Sequence, residues 1–261
     1  MKSFTLLTAL LVSLIGCVSP SLTPPTESMA KPQCAYIVPM ESPPLGVPPG
    51  FTSVVLGSGD GSIQSSRGFS IFNTVAILLE MPAASKRGAE VSQTIQAKLD
   101  SKEVWIPTLV VAKEVQAQLE ASGISCSACP KPKSIPGVQN HGYTALMENW
   151  MAPIRAWYNS SDPLSDYPDV VIDGCRPYII EVGISNYEIV SDQLFVQVMM
   201  KMIDSTDGRI IGRTRAADPW NLPKITPFDQ AFANDSVLFK EAFSTTTHDL
   251  VNKCLKKLGL L

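Results

Sequence analysis

The chain has 261 residues, 21 basic against 24 acidic side chains, a formal net charge of -3 and 45% hydrophobic residues. That is enough apolar material for one sizeable core, and one main domain is expected. The charges are spread without a basic stripe, which argues against nucleic acid as a partner. Beyond Gly16 no apolar run is long enough to span a bilayer as a helix.

Met1-Lys2 opens a segment, Phe4 to Ile15, that is apolar apart from Thr5, Thr8 and Ser13. It is shorter than the roughly 20 residues needed to cross a hydrocarbon core and, with Lys2 before it, reads as a signal sequence. It closes on Leu14-Ile15-Gly16-Cys17. That tetrad resembles the lipobox of bacterial lipoproteins. The resemblance implies a signal peptide over 1–16, peptidase recognition through Leu14, Ile15 and Gly16, and a lipidated Cys17 that begins the mature protein. An ordinary secretory signal with a chance cysteine is the alternative. One acyl chain anchors only marginally, so the resemblance also implies several on this cysteine. Val18 stands where members of that family retained at the inner membrane often carry Asp, so the expected place is the outer membrane, facing the periplasm.

Residues 17–50 are rich in Pro and Ser, with Pro20, Pro24, Pro25, Pro32, Pro39, Pro43, Pro44, Pro48 and Pro49. Proline fixes φ and lacks an N–H, so this stretch is expected to be an extended tether. At polyproline geometry its upper reach is on the order of 100 Å. Cys34-Ala35-Tyr36-Ile37-Val38 supports an alternative, an ordered arm packed on the domain.

The folded domain is expected over 51–261. Phe51 to Leu56 and Ile71 to Glu80 are strand-like and separated by the turn composition Gly57-Ser58-Gly59-Asp60-Gly61. Ala83 to Leu99 carries Val91, Ile95 and Leu99 on one helical face. Val104 to Val110 reads as an edge strand interrupted by Pro107, and Ala112 to Ala121 as a helix ending before Gly123. A loop is expected over Ser122 to Gln139. Leu146, Trp150, Ile154 and Trp157 then repeat at helical spacing, with Pro153 kinking that helix or opening a second.

Three strands follow, over Pro177 to Glu188, Gln193 to Asp204 and Arg209 to Ala216, with Asp207-Gly208 as a type I′ hairpin signal. A first turn centred on Ser191 places Glu181 opposite Lys201, with Arg213 beside Lys201 on the third strand. Asp235 to Leu258 closes the chain as a helix with Asp235 as N-cap and Phe239, Phe243, Leu250, Cys254 and Leu258 as its apolar stripe. The fold class is therefore α+β: a mixed sheet with a C-terminal three-stranded meander and helices on one face.

This order of elements, with Asp204 to Ile211 as a hydrophobic strand, an Asp-Gly turn and a second hydrophobic strand, resembles a group of envelope proteins. They are the curli-secretion lipoprotein, the lipoprotein activators of penicillin-binding proteins and the amino-terminal domain of the TolB translocation protein. The likeness runs in element order over roughly Ile71 to Leu258, and its one motif is the Asp204 to Ile211 turn. It implies an anticodon-binding-like fold and a role in envelope assembly or secretion without catalysis. The Cys126 loop and the Trp150/Trp157 helix depart from the group's pattern.

Besides Cys17 there are Cys34, Cys126, Cys129, Cys175 and Cys254, an odd number that cannot all pair within one monomer. Cys254 on an apolar stripe reads as a small buried hydrophobe. Cys126 and Cys129 are expected to form a local disulfide; redox catalysis fits poorly because Pro130-Lys131-Pro132 opposes the helix such a motif opens. His141 and His248 are the only histidines, and no diagnostic spacing joins them to a nucleophile or a metal set. No G-x-S-x-G elbow is present, and the Gly57 to Gly61 cluster lacks the lysine of a phosphate loop. Glu181, Lys201 and Arg213 form either a polar site on an exposed sheet face or a cross-strand ion pair. Trp150, Trp157 and Tyr158 read as core.

The expected function is that of a membrane-anchored, non-enzymatic envelope lipoprotein. It would act as an adaptor toward an envelope protein or further copies of itself, without metal or cofactor. An envelope hydrolase or thiol enzyme is the alternative.

Overall fold

A computed structural model describes residues 21–23, 32–46, 93–138, 150–165, 167, 170–190, 193–218, 223–225 and 228–261. Leu14 to Cys17, His141, Leu146, the Gly57 to Gly61 cluster and the strands expected over Phe51 to Leu56 and Ile71 to Glu80 lie outside the described residues. Five strands, β1 (Cys34–Pro39), β2 (Ser125–Ala128), β3 (Tyr178–Val190), β4 (Gln193–Asp204) and β5 (Ile210–Ala217), form one sheet. Their order is β2-β1-β3-β4-β5. β1 runs parallel to both β2 and β3, and β3, β4 and β5 are successively antiparallel. The helices are α1 (Pro107–Ala121), α2 (Ala152–Asn159), the short α3 (Phe228–Ala231) and α4 (Val237–Lys257); residues 93–99 are also helical. The fold is α+β with a mixed sheet, and the C-terminal meander matches its expected limits to within two residues.

The alternation in β3 and β4 sorts the sheet into two faces. Ile180, Val182 and Ile184 join Val196, Val198, Met200 and Met202 beneath Val111, Val115 and Leu119 of α1 and Phe239, Phe243 and Leu250 of α4. This is the main core, and Cys254 is buried in it. α2 lies on the other face, where Trp157, Tyr158 and Ile154 pack with Val38, Ile179, Met199 and Ile203. Helices therefore cover both faces of the sheet. Gly183 of β3 permits this: a Cβ there would stand 2.9 Å from Trp157 Cζ3 and 3.1 Å from Ile154 Cδ1.

Several expectations are corrected. The stretch read as a tether over 17–50 contributes β1, so the domain begins before residue 51. Pro39 only closes β1, and the residues between Cys34 and Pro39 supply the N–H groups a strand interior needs. The expected strand over Val104 to Val110 is instead the opening of α1. Pro107 stands in its first turn, where no N–H is required, and Thr108, Val111, Ala112, Val115 and Leu119 are buried at helical spacing. Ser42, reaching in from beyond β1, accepts the Thr108 N–H on its Oγ at 3.1 Å. The expected loop over Ser122 to Gln139 contains β2. Pro153 stands in the first turn of α2, directly after helical Trp150 and Met151.

The β4–β5 connection is not a type I′ turn: Gly208 has φ 71°, but Asp207 is not in the left-handed region. The loop is longer, closed by Asp204 N–H to Arg209 O at 2.9 Å, and Asp204 Oδ1 accepts from the Thr206 backbone and hydroxyl. Asp235 is not the N-cap of α4. Ser236 holds that position, and the Asp235 carboxylate instead accepts from Ser101 and pairs with Lys102.

The cysteine pairing also differs. Cys34 is bonded to Cys175, 141 residues away, tying the start of β1 to the chain just before β3. Cys126 and Cys129 are free. Side chains three apart on extended backbone point to opposite faces. Cys126 accordingly packs toward the main core, and Cys129 stands beside Tyr36 on the α2 side.

Candidate functional site

Glu181, Lys201 and Arg213 form one row across three strands. Glu181 is the register partner of Lys201, as the length of the first turn predicts, and Lys201 is that of Arg213, reached across a longer loop and a register shift at Met202/Ile203. The face is not exposed: Glu181 and Lys201 are both 0% accessible. α2 and Asp162, Leu164 and Tyr167 cover them, because Trp157 fills the space over Gly183 and brings its indole N–H with it.

Each polar atom of the pair is engaged. Lys201 Nζ lies 3.2 Å from Glu181 Oε2 and donates to Trp157 O at 3.1 Å and Asp162 O at 3.0 Å. An ammonium has three N–H groups, and all are spent. Glu181 Oε2 also accepts from Trp157 Nε1 at 2.7 Å, and Oε1 accepts from Leu164 N–H at 2.6 Å and Tyr167 Oη–H at 2.9 Å. Four donors occupy the two carboxylate oxygens. Burial pushes the Lys201 ammonium down from its ordinary range, and the Glu181 charge beside it acts in the opposite direction. Tyr167 is pushed up by burial and then by the same carboxylate.

The cations also close α2. The Ser160 N–H at its C-cap donates to Ala156 O and Trp157 O, and the last carbonyls carry the negative end of the helix dipole. Lys201 takes Trp157 O, and Arg213 Nη1 donates to Tyr158 O at 3.2 Å and Asn159 O at 2.9 Å. Glu181 offsets part of the positive charge. The row is thus an internal strut between sheet and helix, with no free N–H on Lys201 and no unoccupied lone pair on Glu181 for a substrate.

The other candidate residues do not converge. His248 on α4 places Nδ1 2.8 Å from Glu114 Oε1 on α1 at the surface, with Gln118 alongside. Burial and the nearby Glu120 push the Cys126 thiol up to about 11, the reverse of what an attacking thiolate requires. A groove of about 320 Å³ lies between Pro163, Ser165 and Tyr167 and the Asp204 to Gly208 turn. The carboxylates of Asp204 and Asp207 are taken up there by the turn itself and by Arg209. Among the described residues no group of three His, Cys, Asp or Glu could hold a metal ion.

No family model and no curated protein matches the chain. Among solved structures, the PelC dodecamer from Paraburkholderia phytofirmans is similar with a TM-score of 0.36 at 10% identity, over 92% of this chain and 96% of that one. Protein XCC0632 from Xanthomonas campestris gives 0.37 at 12% identity, over 92% and 93%. At this level the likeness is too distant to assign a role.

Three features of the row escaped sequence reasoning: the Trp157 indole, the Tyr167 hydroxyl and the Leu164 N–H. A tryptophan at helical spacing signals burial, and a buried indole N–H in turn requires an acceptor. That requirement points to a buried polar partner without naming Glu181. The Cys34–Cys175 pair had no local signal at all.

Proposed function

We propose that this chain is a lipid-anchored, non-enzymatic protein of the bacterial cell envelope, held by acyl chains on Cys17 at the periplasmic side of the outer membrane. It acts as an adaptor in envelope assembly or secretion, toward another envelope protein or further copies of itself. The observation that carries this reading is the Leu14-Ile15-Gly16-Cys17 tetrad at the end of a short apolar segment. The Cys34–Cys175 bond supports it, because disulfides persist in oxidising compartments and are rare in the cytosol. The saturated Glu181–Lys201 pair supports a structural rather than a chemical use of the polar row.

The test is metabolic labelling with a fatty-acid probe, together with membrane flotation, of the wild type and Cys17→Ser. Labelling and flotation are expected for the wild type and lost in the variant. Labelling retained in Cys17→Ser would overturn the anchor. Crosslinking in cells followed by mass spectrometry is expected to recover an envelope protein or a second copy. Hydrolytic activity abolished by changing His141 or His248 would overturn the non-enzymatic reading.

A further inference from the structure

Leu22 is joined to the outer edge of the sheet. Its N–H donates to Arg213 O at 2.9 Å, and Arg213 N–H donates to Leu22 O at 2.8 Å, an antiparallel bridge alongside β5. Leu22 stands five residues after Cys17. Extended chain covers at most ~3.6 Å per residue, so the covalent reach from this edge to Cys17 is about 18 Å. The long reach expected of residues 17–50 therefore does not separate the domain from its anchor, because the fold takes up the chain again at Leu22.

The margin beside this bridge carries three lysines of α4, Lys253, Lys256 and Lys257. Lys257 Nζ donates to Arg215 O at 3.2 Å, and Lys253 Nζ lies 2.7 Å from Asp218 Oδ2, so the last turns of α4 run along β5 and its end. Lys253, Lys256 and Lys257 stand in these last turns, Lys253 paired with Asp218, and the three lysines are exposed. Leu22 is itself 41% exposed. An acyl anchor combined with exposed lysines is a combination that favours anionic lipid headgroups.

The geometry points to the margin formed by Leu22, β5 and the C-terminal turns of α4 as the face that rests on the lipid bilayer, mooring the domain flush against the membrane. This rests on the acyl anchor at Cys17 proposed above. It also sets an orientation: β2, at the opposite edge of the sheet, stands four strand spacings away, about 19 Å, and faces away from the lipid.

The experiment compares the lipidated protein in vesicles of phosphatidylethanolamine and phosphatidylglycerol with the same protein in detergent. Lysines are labelled with a membrane-impermeant amine reagent and read by mass spectrometry. On vesicles, Lys253, Lys256 and Lys257 are expected to lose reactivity several-fold, while Lys131 and Lys133 near β2 keep theirs. Uniform reactivity on a chain that carries fatty acid and floats with the vesicles overturns the mooring and leaves the anchor standing. Equal protection of the three lysines in detergent also overturns it, since that marks a contact between copies. A chain that neither carries fatty acid nor floats overturns the anchor, and the mooring falls with it.

Discussion

Lys201 and Glu181 face each other across neighbouring strands, 3.2 Å apart and sealed from solvent on both sides. Removing one partner leaves the other charge buried without compensation, which costs about 3–5 kcal/mol. Lys201→Met is therefore expected to lower the unfolding free energy by that amount, read as a fall in the urea midpoint, and Lys201→Met with Glu181→Gln to recover part of the loss. The check is a denaturation series with constant m-value. A cost below about 1 kcal/mol for the single variant, the range of a surface pair, would sink the strut.

The Cys34–Cys175 bond closes a loop of 141 residues, so its main effect is on the unfolded chain. Cys175→Ser is expected to cost about 2–5 kcal/mol. Cys34→Ser should cost a similar amount and the double variant little more, because all three remove one bond. Reductant should lower the stability of the wild type but leave the variants unchanged, as followed by circular dichroism in denaturant.

Burial in the main core pushes the Cys254 thiol up from 9.0 to about 12. The unfolded chain then loses this proton near pH 9 while the native protein keeps it, so the contribution is full below pH 9 and falls as pH rises toward 12. By pH 10 the loss is about 1.4 kcal/mol. Cys254→Ala starts from lower stability because a sulfur is missing from the core, but it should decline less between pH 8 and pH 10. Parallel pH curves for the two proteins would contradict this origin. Tyr187, pushed up by burial, adds a further loss above pH 10 in both.

The meander was legible because its period is local. Apolar residues at every second position and a short first turn determine that Glu181 opposes Lys201, and they place Arg213 beside Lys201, while its direct pairing depends on the longer second loop and the register shift at Met202/Ile203. The helix over Pro107–Ala121 was partly hidden: Thr108, Val110 and Val111 favour strands, and only burial at 108, 111, 112, 115 and 119 reveals the helical period. β1 was legible only as an alternative, the ordered arm over Cys34 to Val38, because its flanking prolines dominate composition over a window wider than the strand.

By itself the sequence determined the α+β class, the meander with its cross-strand row, the buried face of the last helix and the expectation of an acylated Cys17. These depend on spacing within one element or across a short turn. Only the tertiary structure decided that the polar row is buried, that Cys34 pairs with Cys175 rather than Cys126 with Cys129, and that Leu22 closes on β5. Each of those brings together groups more than 20 residues apart, and no local periodicity records which distant segment will cover a face or complete an edge.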